Sequence, residues 1–204
     1  MNKKTRYYAK YVAIALPGKK PGCALVIGMD QDRYGDSRDI YLLDEFEDWD
    51  CRKLVQKCFQ FHEKYKPKDW IGDSGHGAIK NILYEMNEGR QESLYLTTPR
   101  IIRDAYENPY LFILPEIKRL IENKHRQLYL NDDSLVIRYM AEIMPDEMAG
   151  LILGDFPAIE ALAFAVIKMR EWEGWEWGYK MNPLPPEQDY NPMTYMKYGP
   201  PTRA

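Results

Sequence analysis

Three carboxylates stand where they could hold a divalent cation. Asp73 ends the short apolar run Trp-Ile-Gly and is followed by Ser-Gly-His-Gly, and Glu160 is the single charged residue between positions 156 and 166. Asp155 stands five residues before Glu160. Carboxylates without a cluster of cysteine and histidine suit Mg²⁺ or Mn²⁺ better than zinc. Two such ions, about 3.5–4 Å apart, activate a water and stabilise the leaving oxygen of a phosphodiester.

Each of these carboxylates also has a purely structural explanation. Asp73 can open an Asx-turn with the serine and glycine that follow it. Glu160 can sit solvated in the first turn of a helix, where the dipole favours it, and Asp155 can be an ordinary N-cap. However, the helix around Glu160 is apolar nearly all round, and a buried carboxylate without a partner is costly. We therefore predict functional roles for Asp73 and Glu160 and keep Asp155 as a further candidate ligand.

Candidate phosphate contacts lie near Asp73 and at the N-terminus. His76 stands four residues before Lys80, and either could contact a phosphate; a turn histidine without a catalytic role is the alternative. Residues 1–29 carry six basic side chains and no acid, whereas residues 30–50 carry nine acids. A basic arm can bind DNA phosphates, or it can simply keep the terminus soluble. The predicted DNA-binding lysines are Lys3, Lys4, Lys10, Lys19 and Lys20.

Several functional classes are not supported by the sequence. It has no G-x-x-x-x-G-K-[ST] phosphate loop and no G-x-S-x-G motif. Its three cysteines have no C-x-x-C spacing, which argues against a disulfide framework or a structural zinc and favours a reducing compartment. No apolar run is long enough to cross a membrane, and the first residues do not form a signal peptide. We expect a cytoplasmic protein.

The hydrophobic pattern predicts elements that would bring the carboxylates together. Strands are predicted over 6–16, 23–30, 40–46, 69–73 and 93–99, and helices over 49–65, 78–87 and 156–172, with further helical pieces between 100 and 150. The first three strands form an antiparallel meander. The later alternation of helix and strand predicts an α/β fold, a mixed sheet flanked by helices. Residues 1–177 form the predicted domain, and the proline-rich segment 178–204 is predicted to be an extended or disordered tail.

Four segments resemble the nuclease domain of viral large terminase subunits, which has the RNase H-like fold. They are VAIALPGKKPGCALVIG, WIGDSGHGAIKNIL, IKRLIENKHRQLYLNDDSLVIRYMAEI and GDFPAIEALAFAV, and the resemblance spans about residues 10–169. The last segment carries Glu-Ala-Leu-Ala where the family often has Asp-Ala-Leu-Ala. The resemblance implies a DNA endonuclease acting during viral genome packaging, in the host cytoplasm. Its implied partners are double-stranded DNA and a packaging ATPase, small terminase subunit or portal.

In that family, acids at the end of strand 1, at the end of strand 4 and on the final helix hold two metal ions. By position, Asp73 matches the second acid, and Glu160 or Asp155 matches the third. The first acid is absent, because Ala15 or Leu16 stands in its place. The resemblance also does not include the ATPase domain that precedes the nuclease in large terminases. A Holliday-junction resolvase and a non-catalytic RNase H-like DNA- or partner-binding module remain the alternatives.

Overall fold

The computed structural model describes most of the region that carries the predicted elements. The described residues are 9–30, 39–72, 77–91, 93–99, 114, 117–118, 128–143 and 154–172, with backbone alone for 169–172. The strands are β1 (Ala9–Ala15), β2 (Gly22–Met29), β3 (Ile40–Asp48), β4 (Asp69–Gly72), β5 (Leu96–Thr97) and β6 (Leu128–Tyr129). The helices are α1 (Cys51–Tyr65), α2 (Gly77–Asn87), α3 (Leu135–Met140) and α4 (Pro157–Trp172). The predicted tail, 178–204, lies outside these residues.

The six strands form one mixed sheet, in the order β5-β4-β1-β2-β3-β6. β1, β2 and β3 are joined by antiparallel pairing, which confirms the predicted meander. β4 pairs in parallel with β1, and β5 pairs in parallel with β4. The central strand β1 therefore belongs both to the meander and to the parallel half of the sheet, as the sequence predicted.

Helices cover both faces of the sheet, and each face has its own core. Alternate residues of β1 point in opposite directions: Tyr11, Ala13 and Ala15 join a core with α3 and α4, whereas Val12 and Ile14 join a core with α1 and α2. This alternation is the two-residue period of a strand that is buried on both faces. The side chain that ends β1 on the α4 face is therefore Ala15.

The closing helix α4 is buried along most of its described length, as its apolar sequence predicted. Its side chains from position 158 to 167 are all buried, and it packs against β1, β2 and β4. The predicted start of the helix near Phe156 is confirmed to within one residue. Because α4 crosses three central strands, its first turn is held against the sheet close to where β1 ends.

The region between 93 and 150 agrees with its prediction only in part: α3 lies within a predicted helical piece, but two strands differ. The strand predicted over 93–99 is reduced to Leu96–Thr97, because the side chain of Asn87 occupies both backbone groups of Leu94, at 2.9 and 2.8 Å. Residues 100–150 were predicted as helical pieces, but Leu128–Tyr129 form a short strand parallel to β3. Two strand residues are too few to produce a recognisable alternation. No helix in the described part of the chain is long and apolar enough to span a bilayer.

Candidate functional site

β1 and β4 are neighbouring interior strands, and their C-terminal ends lie side by side at one end of the sheet. Ile14 pairs with Gly72, the last residue of β4, and a Cβ on Gly72 would stand only 2.8 Å from the carbonyl oxygen of Ile14. Gly72 thus allows the two backbones to approach closely. Asp73 follows Gly72 in the sequence, but Asp73 and His76 both lie outside the described residues.

Neither candidate position for the first acid carries a ligand atom, and the two positions face different cores. Ala15 is buried in the core that contains α4, and only 2% of its surface is exposed. Leu16 packs against the core that contains α1 and α2. An acid placed at Ala15 would therefore face the helix that carries Glu160.

Glu160 is buried in the first turn of α4, as predicted, with 3% of its surface exposed. One carboxylate oxygen, Oε1, accepts a hydrogen bond from the backbone N–H of Gly154. Gly154 has φ of +97°, in the left-handed region that glycine adopts without strain. The carboxylate therefore ties the helix to the turn that leads into it, which is a structural role; carboxylate oxygens are also the ligands that hard cations prefer.

Asp155 is almost as deeply buried, with 4% of its surface exposed, although the sequence suggested an ordinary N-cap. Its Oδ1 lies 3.0 Å from the ammonium nitrogen of Lys19, in the turn between β1 and β2. The backbone N–H of Lys19 also donates to the carbonyl of Gly154, at 3.0 Å. The β1–β2 turn is thus docked onto the entry of α4, beside both carboxylates.

The lysine that follows makes a second set of contacts in the same place. Lys20 forms an ion pair with Glu142, and its ammonium lies 4.9 Å from the ring centroid of Tyr139 and 5.7 Å from that of Phe156. Both lysines of this turn were predicted to bind DNA. The structure shows that each also has an acidic partner in the segment that precedes or begins α4, a contact that local sequence patterns do not reveal.

The other predicted cationic residues lie elsewhere. Lys80 is exposed on α2, which begins five residues after Gly72, so it lies at the same end of the sheet as the carboxylates. Lys10 lies near the start of β1, and its ammonium donates to the carbonyl of Tyr65 at 3.0 Å. Lys3 and Lys4 fall outside the described residues.

Two glutamates of β3 that the sequence analysis did not single out connect the sheet to α3. Glu47 accepts hydrogen bonds from Tyr139 and Arg138, each at 2.7 Å. Burial alone would raise the pKa of Glu47, but these bonds outweigh it and place the pKa below its usual value. Burial raises the pKa of Glu45, although the N–H of Leu135 opposes the shift. Their alternation on β3 was the available sequence signal.

The described carboxylates suit one hard cation, but they are too few to hold two metal ions. Asp155 and Glu160 supply only oxygen, which Mg²⁺ and Mn²⁺ prefer. Among the described residues, which do not include Asp73, no group of three or more histidine, cysteine, aspartate and glutamate side chains is placed to hold a metal ion. β1 adds no donor, because Ala15 ends it.

Comparison with known proteins identifies the fold. No protein-family model and no curated protein matches this sequence. The nuclease domain of the large terminase of bacteriophage SPP1, solved with bound Mn, is similar in structure at a TM-score of 0.50 and 12% identity, over 83% of this chain and 92% of that one. The fowlpox virus Holliday junction resolvase matches at 0.43 and 12%, over 80% and 99%. The same resolvase with Holliday junction DNA matches at 0.43 and 11%, over 78% and 97%.

These likenesses concern the fold, since the identities are low. The mixed sheet with helices on both faces is the predicted RNase H-like α/β fold, shared with the terminase nuclease domain.

Proposed function

We propose that this chain is a metal-dependent DNA endonuclease of the large-terminase nuclease type. The proposal depends on the burial of Asp155 and Glu160 at the start of α4. They lie against the end of the sheet where β1 and β4 both end. Ligands of open α/β sheets bind at such strand ends. The likeness of the fold to a terminase nuclease domain supports the same assignment.

Asp73, Glu160 and Asp155 are the residues that would hold Mg²⁺ or Mn²⁺. The SPP1 domain was solved with bound Mn, which supports a metal-dependent chemistry in this fold. When bound, the ion would activate a water and stabilise the leaving oxygen of a phosphodiester. The protein's part is to fix the carboxylates, and the hydrogen bond from Gly154 to Glu160 does this for one of them.

Double-stranded DNA is the proposed substrate. Lys80 is exposed in the first turn of α2, near the proposed site, where its ammonium is available to a backbone phosphate. Lys3, Lys4 and His76 are further candidates for phosphate contact. A packaging ATPase, a small terminase subunit or a portal would be the protein partners if the domain works in genome packaging.

A non-catalytic DNA-binding module is the second candidate, and Ala15 favours it. In the family that the chain resembles, an acid at the end of β1 would help to hold the metal ions. Ala15 cannot coordinate a cation, so we expect the wild-type protein to cleave DNA poorly. The two candidates differ in what happens when the acid is supplied.

The test is nicking of supercoiled plasmid by the wild type and by Ala15→Asp, with Mn²⁺ or Mg²⁺. We expect Ala15→Asp to gain cleavage of about 100-fold or more, because a carboxylate there faces the helix that carries Glu160. Ala15→Asn, which has the same shape without the charge, is the matched control and should stay inactive, as should Ala15→Asp combined with Asp73→Asn. Leu16→Asp tests the other position. If no variant cleaves with either metal, the non-catalytic candidate is correct, provided that DNA still binds.

A further inference from the structure

Two buried carboxylates at the start of α4 need compensating charge. Asp155 and Glu160 expose 4% and 3% of their surfaces. A buried anion is tolerated when it is paired with a cation or receives hydrogen bonds. Glu160 accepts a hydrogen bond from the N–H of Gly154, and Asp155 forms an ion pair with the ammonium of Lys19. The chain therefore already provides one cation at the place where a metal ion is proposed.

The position of Lys19 is set by its backbone as well as by its ion pair. Its N–H donates to the carbonyl of Gly154, the residue before Asp155. Gly18 packs so tightly on Gly154 that an added Cβ would lie 2.2 Å from that same carbonyl oxygen. The backbone of Lys19 is thus hydrogen-bonded to Gly154, the residue that precedes its acidic partner Asp155. An ordinary surface lysine has no such backbone attachment beside its ion-pair partner. Its side chain is nevertheless 72% exposed, so the ammonium can move into solvent without rearranging the core.

From this geometry we infer that Lys19 is an internal counter-ion that competes with the divalent metal for Asp155. The inference rests on the proposed function, because it concerns the same carboxylates. The ammonium and a divalent ion cannot both lie close to Asp155 without strong repulsion. In the metal-free protein Lys19 neutralises Asp155; when the ion binds, Lys19 swings out toward solvent. Lys19 is therefore a positioning residue that sets metal affinity.

The experiment measures Mn²⁺ binding to the full chain by titration calorimetry, without DNA. Lys19→Met removes the ammonium, and we expect Mn²⁺ to bind about 10-fold more tightly than to the wild type. Thermal unfolding should show the same change: without metal Lys19→Met unfolds at a lower temperature, and Mn²⁺ raises that temperature more than in the wild type. A simple loss of structure would weaken metal binding instead, so the sign separates the two.

Lys64→Met is the matched control. Lys64 also pairs with a partly buried carboxylate, Asp44, at 2.8 Å, but at the far end of α1. The Lys64→Met variant removes the same charge as Lys19→Met. Its Mn²⁺ affinity should stay within about twofold of the wild type, since bulk solvent screens distant charges. Asp155→Asn in the Lys19→Met background should abolish the gain.

Equal or weaker Mn²⁺ binding by Lys19→Met would overturn the inference, and so would an absence of Mn²⁺ binding in every variant. If Lys19→Met proves too unstable to titrate, Lys19→Gln gives the same comparison with a polar side chain of similar length. The proposed function fails separately. In that case the Mn²⁺ affinity shifts as expected, yet neither the wild type nor Ala15→Asp binds or cleaves DNA.

Discussion

Gly18 and Gly154 bring two backbones into contact that are far apart in the sequence. A Cβ at Gly18 would meet three backbone atoms of Gly154 at 2.2–2.6 Å, and backbone cannot yield as a flexible side chain can. The contact keeps the β1–β2 turn over the first turn of α4. The contact therefore helps to hold Lys19 beside the carboxylates.

Gly18→Ala should therefore lower the free energy of unfolding by about 1–3 kcal/mol, the usual cost of overpacking. Gly77→Ala is its control: no described residue lies within 4 Å of the added methyl group, and the position begins α2. There we expect a gain of about 0.4–1 kcal/mol from the stiffer unfolded chain. Urea unfolding of both variants measures the difference. An unchanged Gly18→Ala would show that the turn is not docked as described.

Single residues of the site were predictable only where their neighbours in sequence determine their surroundings. Glu160 is buried because the helix around it is apolar, and that pattern is local. The burial of Asp155 was not expected, because its cause is the β1–β2 turn, more than 130 residues away in the sequence. For the same reason the sequence predicted Lys19 and Lys20 as cations but did not indicate their ion pairs with Asp155 and Glu142.

At the scale of elements, the attachment of α3 to β3 depends on two glutamates with opposite pKa shifts. The hydrogen bonds from Tyr139 and Arg138 lower the pKa of Glu47. Burial raises the pKa of Glu45, whose second oxygen, Oε2, is buried without a hydrogen-bond partner among the described residues. The two side chains lie on the same face of β3 and differ in how well their charge is compensated.

These shifts predict opposite pH dependences for Glu47→Gln and Glu45→Gln. Glu47 has a lowered folded pKa, so it stabilises the protein above its unfolded pKa, and this contribution is lost as the pH falls through the folded pKa. Glu45 has a raised folded pKa, so its contribution is present below the unfolded pKa and is lost as the pH rises through the folded one. At pH 7 Glu47→Gln should be less stable than the wild type, and Glu45→Gln should be more stable.

Both differences should shrink at the acid end of the range in which the protein stays folded, where the glutamates are protonated. Urea unfolding of the wild type and the two variants across that range measures them. Parallel pH profiles for the two variants would contradict the assignment of the shifts.

Elements with long or strongly apolar patterns were predicted well, as were the short elements β4 and α3, whereas the two-residue strands were predicted too long or missed. β1, β2, β3, α1 and α4 were each recognised from several periods of their hydrophobic pattern. β5 and β6 have two strand residues each, and only pairing with a neighbour makes them strands. The central position of β1 was predicted, because the first strand had to pair both with the meander and with the later parallel strand.

At the scale of the molecule, the described lysines that were predicted to contact DNA are divided between the two ends of the sheet. Lys10 lies near the start of β1 and Ala15 at its end, about 17 Å apart along the strand at the usual rise per residue. Lys19, Lys20 and Lys80 lie at the end that carries the carboxylates. A net charge of −3 gives the molecule no general attraction for DNA, so binding must depend on a local group of cations.

Lys80→Ala should therefore weaken DNA binding, whereas Lys66→Ala should not. Lys80 is exposed at the site end of α2; Lys66 lies just after α1, at the opposite end, where it pairs with Glu63 at 2.8 Å. If Lys80 contacts a phosphate, its loss lowers affinity for every DNA sequence alike and reduces the slope of log K against log salt by about 1. Fluorescence anisotropy with one duplex at several salt concentrations gives both quantities. Equal slopes for the wild type and Lys80→Ala, or an equal loss in Lys66→Ala, would mean that DNA does not run past the end of the sheet where β1, β4 and α4 meet.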